Sequence, residues 1–131
     1  MLLALAMGAY AHGDRIATHR GQMNDDQGEM NFELVHRARS VTIYLEDHGQ
    51  PVSTHGGKAS LEIKRGSMRW STTLRPDGAN RFVGRLPQSL VAGDSVSVGV
   101  SFPNGSIANG HFRLGTVPKA RATTISRQPW P

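Results

Sequence analysis

The sequence predicts an all-β protein, a small two-sheet antiparallel β-sandwich of immunoglobulin-like type with about seven strands. Apolar and polar residues alternate with a period of two in several short runs, and no long stretch has the helical period. The 131 residues include 15 glycines and 7 prolines, a frequency typical of many tight turns. A small β-barrel is the alternative architecture.

Each strand is predicted from side chains at alternate positions, which would share the buried face of a sheet. In chain order these inward positions are Met30, Phe32 and Leu34; Val41, Ile43 and Leu45; Leu61 and Ile63; Met68, Trp70, Thr72 and Leu74; Phe82 and Leu86; Val96, Val98, Val100 and Phe102; and Phe112 and Leu114. The run from Val96 to Phe102 is the most regular of them. The alternation therefore places one face of every strand in a common core.

Turn signals rich in glycine, proline and aspartate or asparagine separate these runs. They are Asp47-His48-Gly49-Gln50-Pro51, Pro76-Asp77-Gly78, Ala92-Gly93-Asp94 and Pro103-Asn104-Gly105. We expect the second and the fourth of these segments each to close an antiparallel hairpin.

The core has to be held by packing alone, because the chain contains no cysteine and therefore no disulfide. Met30 and Met68 lie on the apolar faces and are interpreted as core residues. We expect the core to be held by the aliphatic side chains together with four aromatic ones, those of Phe32, Trp70, Phe82 and Phe102.

Four segments are predicted along the chain. Residues 1–11 form a short apolar run that ends in Ala9-Tyr10-Ala11, which indicates the remnant of a secretory signal cleaved after Ala11. Residues 12–28 form a polar N-terminal arm, residues 29–114 the β-sandwich domain, and residues 115–131 a basic tail that we expect to be disordered. The signal predicts export to the periplasm, and the mature chain is expected to have no membrane span.

The formal net charge of +5 is unevenly distributed. Residues 1–47 carry seven acidic and four basic residues, whereas residues 48–131 carry three acidic and eleven basic ones. The basic residues are scattered singly and aromatic residues are few, so nucleic acid is not an expected partner. Because no nucleophile elbow, P-loop or dinucleotide motif occurs, we expect no enzymatic activity. The protein is expected to be a monomer.

Three stretches, spread through roughly residues 18–114, resemble a known family. They are Phe32-Glu33-Leu34-Val35, Val41-Thr42-Ile43-Tyr44-Leu45-Glu46-Asp47-His48-Gly49-Gln50-Pro51-Val52-Ser53-Thr54 and Asn80-Arg81-Phe82. The family consists of small exported β-sandwich proteins of Gram-negative bacteria that are often associated with copper and other heavy-metal efflux systems. The resemblance implies the fold, the location outside the cytoplasm and, as a partner, a metal-efflux or envelope protein. The family's His-Gly-Gly stretch corresponds here to His19-Arg20-Gly21, with arginine at the middle position.

A second resemblance is to periplasmic copper-resistance sandwiches, which combine a terminal histidine with an Asp-x-His near a late strand. His12 matches the terminal histidine once the signal is cleaved. Asn109-Gly110-His111 matches the late histidine, with an amide where those proteins have a carboxylate.

The six histidines suggest a metal site, because neutral imidazole binds Cu(II) and Zn(II). Cleavage after Ala11 would give His12 a free α-amine beside its imidazole, and His111 is the candidate from the late strand. The N-terminal arm as a whole holds six candidate ligands within fifteen residues: His12, Asp14, His19, Met23, Asp25 and Asp26. The alternative is a polar arm whose histidines contact only water.

A second candidate pair consists of His48 and His55, which lie in turn-like segments on either side of Pro51-Val52-Ser53. They are interpreted as two solvated turn residues unless the turns meet. His36 and His111 are both predicted to face solvent without a partner.

Two functions are therefore expected. The first is a periplasmic accessory protein that binds copper or a similar divalent metal through His12, His19 and His111. The second is a metal-free sandwich that binds a protein of an envelope complex through its basic face or an open sheet edge.

Overall fold

All regular secondary structure in the part of the chain that the computed structural model describes, residues 17–25 and 30–115, is β-strand. The strands are β1 (Gln22–Met23), β2 (Met30–Arg37), β3 (Ser40–Asp47), β4 (Gln50–Pro51), β5 (Lys58–Arg65), β6 (Met68–Pro76), β7 (Arg81–Arg85), β8 (Ser95–Ser101) and β9 (Ile107–Arg113). The all-β prediction is confirmed, and seven of these strands have five residues or more. No helix in the described ranges is long and apolar enough to cross a membrane.

The strands form one antiparallel sheet in the order β1-β2-β3-β7-β6-β5-β8-β9, with β4 paired to β3. The sheet is nearly closed and barrel-like. Six antiparallel steps separate β2 from β9, so these two strands run in the same direction where they contact each other across the gap. This boundary between β2 and β9 is called the seam below.

Buried aliphatic and aromatic side chains fill the interior, and they occupy the alternate positions that the sequence predicted. Phe32 and Phe82 are fully buried, as expected, and Phe112 joins them. Trp70 and Phe102 are only partly buried and pack against the margin of the core. The remaining buried apolar residues are Leu34, Val41, Ile43, Leu45, Ala59, Leu61, Ile63, Leu74, Leu86, Leu90, Val96, Val98, Val100 and Leu114.

The interpretation of Met68 as a core residue is wrong, because its side chain is 48% exposed. Met68 is the first residue of β6 and lies beyond the partly buried Trp70, on the same face of the strand. The alternation of apolar residues predicts which face of a strand a side chain lies on. It does not predict how much of the strand's length is covered on that face by the opposite sheet.

Both predicted hairpins are present. The segment around Pro76-Asp77-Gly78 joins β6 to β7, and the segment around Pro103-Asn104-Gly105 joins β8 to β9, each pair antiparallel. The turn at His48 and Gly49 has positive φ at both residues, 54° and 82°, which matches the twist of the flanking strands.

Candidate functional site at the seam

Residues 17–25, called the strap below, occupy part of the seam. The strap includes β1, which pairs antiparallel with β2 so that Gln22 lies opposite Leu34 and Met23 opposite Glu33. This strand is shorter than any segment that period-two alternation can indicate, and the sequence pattern therefore predicted no strand between residues 12 and 28.

The strap also contacts β9 on the other side of the seam. The Asp25 backbone N–H donates to the His111 carbonyl oxygen at 2.8 Å. The Gln22 side chain donates through Nε2 to the Arg113 carbonyl oxygen at 2.7 Å. The strap is therefore hydrogen-bonded to both strands that border the seam, and it brings the arm next to the late-strand histidine.

A buried carboxylate on β2 anchors the strap. Glu33 is only 3% exposed, although it points to the outer face of the sheet, because the strap covers it. Its two carboxylate oxygens accept hydrogen bonds from the backbone N–H groups of Thr18 at 3.1 Å, His19 at 2.8 Å and Gly21 at 2.7 Å. Burial raises the pKa of Glu33, but the hydrogen bonds from Gly21, His19 and Thr18 outweigh it and hold that pKa below its ordinary value.

His19 is fixed by two contacts of its imidazole ring. The ring lies flat on Tyr44, with centroids 3.5 Å apart and planes 5° apart. Its Nδ1 atom is 3.1 Å from the Glu33 carboxylate. Nδ1 is therefore occupied, and Nε2 is the ring atom left for any other ligand.

Gly21 is required by close approach to β2. A Cβ atom at this position would lie 2.3 Å from the Leu34 carbonyl oxygen and 2.7 Å from a methyl group of Val35. Glycine lets the strap lie directly on β2, which a larger residue would prevent. Arg20, the residue that departs from the family's pattern, has a positive φ of 62° and is exposed.

The most chemically distinctive group at the seam consists of Asp25, His111 and Ser95. The Asp25 Oδ1 atom is 3.2 Å from His111 Nδ1. The other ring nitrogen, Nε2, is 2.8 Å from the Ser95 hydroxyl oxygen. The sequence correctly placed His111 on the outer face, opposite in parity to Phe112, but the expectation that it lacks a partner is wrong.

The remaining predicted ligands lie elsewhere or outside the described residues. Met23 is half-buried on β1 beside Glu33. His48 bonds the neighbouring Asp47 carboxylate at 2.6 Å, and His55 is an exposed turn residue whose backbone N–H donates to Ser53 Oγ. His12, Asp14 and Asp26 lie outside the described residues.

His36 is the last residue but one of β2 and interacts electrostatically with the buried Asp94 carboxylate. Partial burial lowers the pKa of His36, and the negative charge of Asp94 opposes that shift. His36 does not join His111 in any hydrogen bond within the part of the chain that the structure describes.

No group of three His, Cys, Asp or Glu side chains in residues 17–25 and 30–115 has a geometry that could hold a metal ion. The seam supplies two such side chains, Asp25 and His111. Comparison of the chain with protein-family models, curated proteins and solved structures found no match. The resemblance to exported metal-efflux proteins therefore stays a prediction.

Replacing Glu33 with glutamine is expected to loosen the strap while the core remains folded. Hydrogen bonds to a charged acceptor contribute about 1.5–3 kcal/mol each, so the Gly21 amide should exchange with solvent about tenfold faster or more. The pKa of Glu33 is lower in the folded state than in the unfolded chain. The stabilisation of the strap by the ionised carboxylate is therefore complete above the unfolded-state pKa of about 4.3, and it is lost as the pH falls through the folded-state pKa. The wild-type Gly21 amide should therefore lose protection in acid, and the Glu33→Gln variant should show little further change.

Hydrogen exchange followed by NMR between pH 3 and pH 7 tests this, with the amide of Val98 as an internal reference for the core. Glu46→Gln on the neighbouring strand is the control and should leave Gly21 unaffected. Equal protection of Gly21 in the Glu33→Gln variant and the wild type would show that the carboxylate does not hold the strap.

Proposed function

We propose that this protein is an exported accessory domain that binds a divalent metal, Cu(II) or Zn(II), at the seam. The observation that carries the proposal is the 3.2 Å contact between Asp25 of the strap and His111 of β9. It places a carboxylate from the predicted ligand-bearing arm beside the predicted late-strand histidine.

The donor chemistry at the seam suits these metals. An imidazole nitrogen and a carboxylate oxygen are both established ligand types for Zn(II) and Cu(II). Binding requires a neutral imidazole, because a protonated ring nitrogen has no lone pair to give to a metal ion. When bound, the metal would replace the hydrogen bond that now joins Asp25 to His111.

Two described donors are too few for a tight site, and we assign the others to His12 and Asp14. His12 is the fifth residue before Ala17, where the described part of the chain begins. An extended chain covers up to about 3.5 Å per residue, which gives His12 a reach of about 17 Å from that point. After cleavage behind Ala11, His12 offers an α-amine as well as its imidazole.

His19 has a positioning role in this proposal. Its ring on Tyr44 and its hydrogen bonds to Glu33 hold the strap, and through the strap Asp25, in place. Its Nε2 atom and the Met23 thioether are further donors on the same outer surface, the latter suited to Cu(I).

The finer architecture that we propose is the immunoglobulin-like sandwich. The pairing of β6 with β7 is limited to Arg75 with Val83 and Pro76 with Phe82, which supports a division into two sheets at this point. One sheet would contain β2, β3 and β7, and the other β6, β5, β8 and β9.

Isothermal titration of Cu(II) and Zn(II) into protein that begins at His12 tests the function. We expect submicromolar binding of one metal ion, weakened about tenfold or more by His111→Phe and by Asp25→Asn. His55→Gln is the matched control, an exposed histidine of the second candidate pair, and should leave the affinity unchanged. Millimolar binding by the wild type, or equal affinities in all variants, would refute the proposal.

A second candidate function, binding of an envelope protein, is favoured by the part of the β9 edge at Ile107 and Asn109, where no strand of the described residues other than β8 pairs with β9. His111 and Arg113 direct their carbonyl groups to the seam, and strand alternation directs those of Ile107 and Asn109 the same way. Ile107 is 69% exposed beside an open cavity of about 390 Å³. A partner's extended strand could add here, with an apolar side chain against Ile107. Failure of the metal titration, together with a specific periplasmic partner that Ile107→Lys releases, would favour this candidate.

A further inference from the structure

The Asp25, His111 and Ser95 side chains are connected in the order that activates a serine nucleophile. The distance from Asp25 Oδ1 to His111 Nδ1 is 3.2 Å, and the distance from His111 Nε2 to Ser95 Oγ is 2.8 Å. With the imidazole neutral and its proton on Nδ1, that N–H donates to the Asp25 carboxylate, which fixes the tautomer. Nε2 then accepts the Ser95 hydroxyl proton, which is the geometry of a general base beside a nucleophile.

Positive charge flanks the hydroxyl on both neighbouring strands. In the sheet register Ser95 lies between Lys64 of β5 and Arg113 of β9, and all three point to the outer face. Side chains that are paired in this way have their Cβ atoms about 5 Å apart, within reach of a group bound at Ser95. A developing oxyanion at this position would be stabilised by the two cations.

We propose that Ser95 is an activated nucleophile that reacts with small activated esters in the metal-free protein, with the Asp25 and His111 side chains that are proposed above as metal ligands serving here to activate it. Ser95 Oγ adds to the ester carbonyl carbon while His111 Nε2 takes the hydroxyl proton. The bond from that carbon to the leaving alcohol oxygen then breaks, and His111 returns the proton to this oxygen. Water, deprotonated by His111, attacks the acyl-serine, which releases the carboxylic acid and restores the Ser95 hydroxyl.

The site is open, which restricts the substrates that it fits. Within residues 17–25 and 30–115, Ser95 and His111 are half-buried and Asp25 is exposed, so these residues place the substrate on the sheet surface and not in an enclosed cavity. The substrate class is therefore a small ester with a good leaving group. The cations of Lys64 and Arg113 favour an acyl group that carries negative charge.

Covalent labelling with a fluorophosphonate probe, read by intact mass and peptide mapping, tests the proposal. Ser95 Oγ forms a bond to phosphorus, fluoride leaves, and His111 accepts the hydroxyl proton. We expect one probe per chain, located on Ser95, with a rate about a hundredfold lower in His111→Gln. Labelling should also be slower in Asp25→Asn and absent at position 95 in Ser95→Ala.

Ser97→Ala is the matched control. Ser97 lies directly opposite His111 on the same face of the sheet, but the hydrogen bond to His111 Nε2 is made by Ser95. The control variant should label like the wild type. The labelling reaction is run with a chelator, so its outcome does not depend on whether the metal titration shows binding. The Ser95→Ala variant should still bind metal in that titration. Labelling spread over several serines, an unchanged rate in His111→Gln, or no labelling of a folded wild type would each overturn the proposal.

Discussion

Replacing Asp94 with alanine is expected to lower the free energy of unfolding by about 3 kcal/mol. Asp94 is fully buried and accepts two hydrogen bonds from the Arg65 guanidinium, at 2.8 Å from Nε and 2.9 Å from Nη2. The Val91 backbone N–H donates to the same carboxylate at 2.9 Å. The Arg65 hydrogen bond is the main reason that the pKa of Asp94 is lowered, against the effect of burial.

The alanine variant would remove the carboxylate partner of Arg65 and leave its guanidinium hydrogen-bonded to the Ser89 carbonyl oxygen at 2.9 Å and to Gln88 Oε1 at 3.4 Å. The guanidinium would still lie over the Trp70 ring, 4.9 Å from its centroid. Urea denaturation followed by tryptophan fluorescence measures the loss. Glu62→Ala is the control, because the Glu62–Arg69 pair is exposed and 3.5 Å apart, and it should cost less than about 1 kcal/mol. Similar losses in the two variants would mean that the buried pair contributes no more than an exposed one.

The Gly110→Ala variant is expected to be less stable than the wild type by about 2–3 kcal/mol. A Cβ atom on Gly110 would lie 2.4 Å and 2.8 Å from two ring carbons of Phe32, and 3.2 Å from a methyl group of Val98. Phe32 is fully buried and its ring cannot move outward. The absence of a side chain at Gly110 therefore lets β9 pack closely on β2 across the seam.

Gly99→Ala provides the comparison. Gly99 lies on β8, the strand that pairs with β9, but it faces the outer side of the sheet and not the core. Among the residues that the structure describes, its added Cβ would meet only the Asn109 side-chain oxygen, at 3.4 Å. This variant should change the unfolding free energy by less than about 0.5 kcal/mol. Thermal and urea unfolding of both variants measure the difference, and a Gly110→Ala protein as stable as Gly99→Ala would disprove the close approach at the seam.

The alternation of apolar residues was sufficient to predict the strands that build the core. Val96, Val98 and Val100 are all buried, as are Phe32 and Leu34, because a period of two is a direct consequence of the extended backbone. The strap was not predictable in this way. β1 has two residues, and it is held by Glu33 and by β9, contacts that depend on residues distant in the chain.

The candidate site was predictable only in its separate parts. The histidine count singled out His19 and His111, and the acidic arm contained Asp25. Glu33 was not identified, because an acidic residue between Phe32 and Leu34 is the usual pattern of a solvated strand face. Ser95 was likewise indistinguishable from the other outward serines of β8, since its bond to His111 depends on the β8–β9 register.

The most direct test of the metal proposal is residue-resolved observation of the imidazoles. Zn(II) is added to isotope-labelled protein that begins at His12, and the ring nitrogens are followed by long-range ¹H–¹⁵N NMR. The proposal predicts that the His111 and His12 ring resonances shift together and saturate at one equivalent, while those of His48 and His55 stay in place. Shifts confined to His48 and His55, or a His111 ring that does not respond, would contradict it.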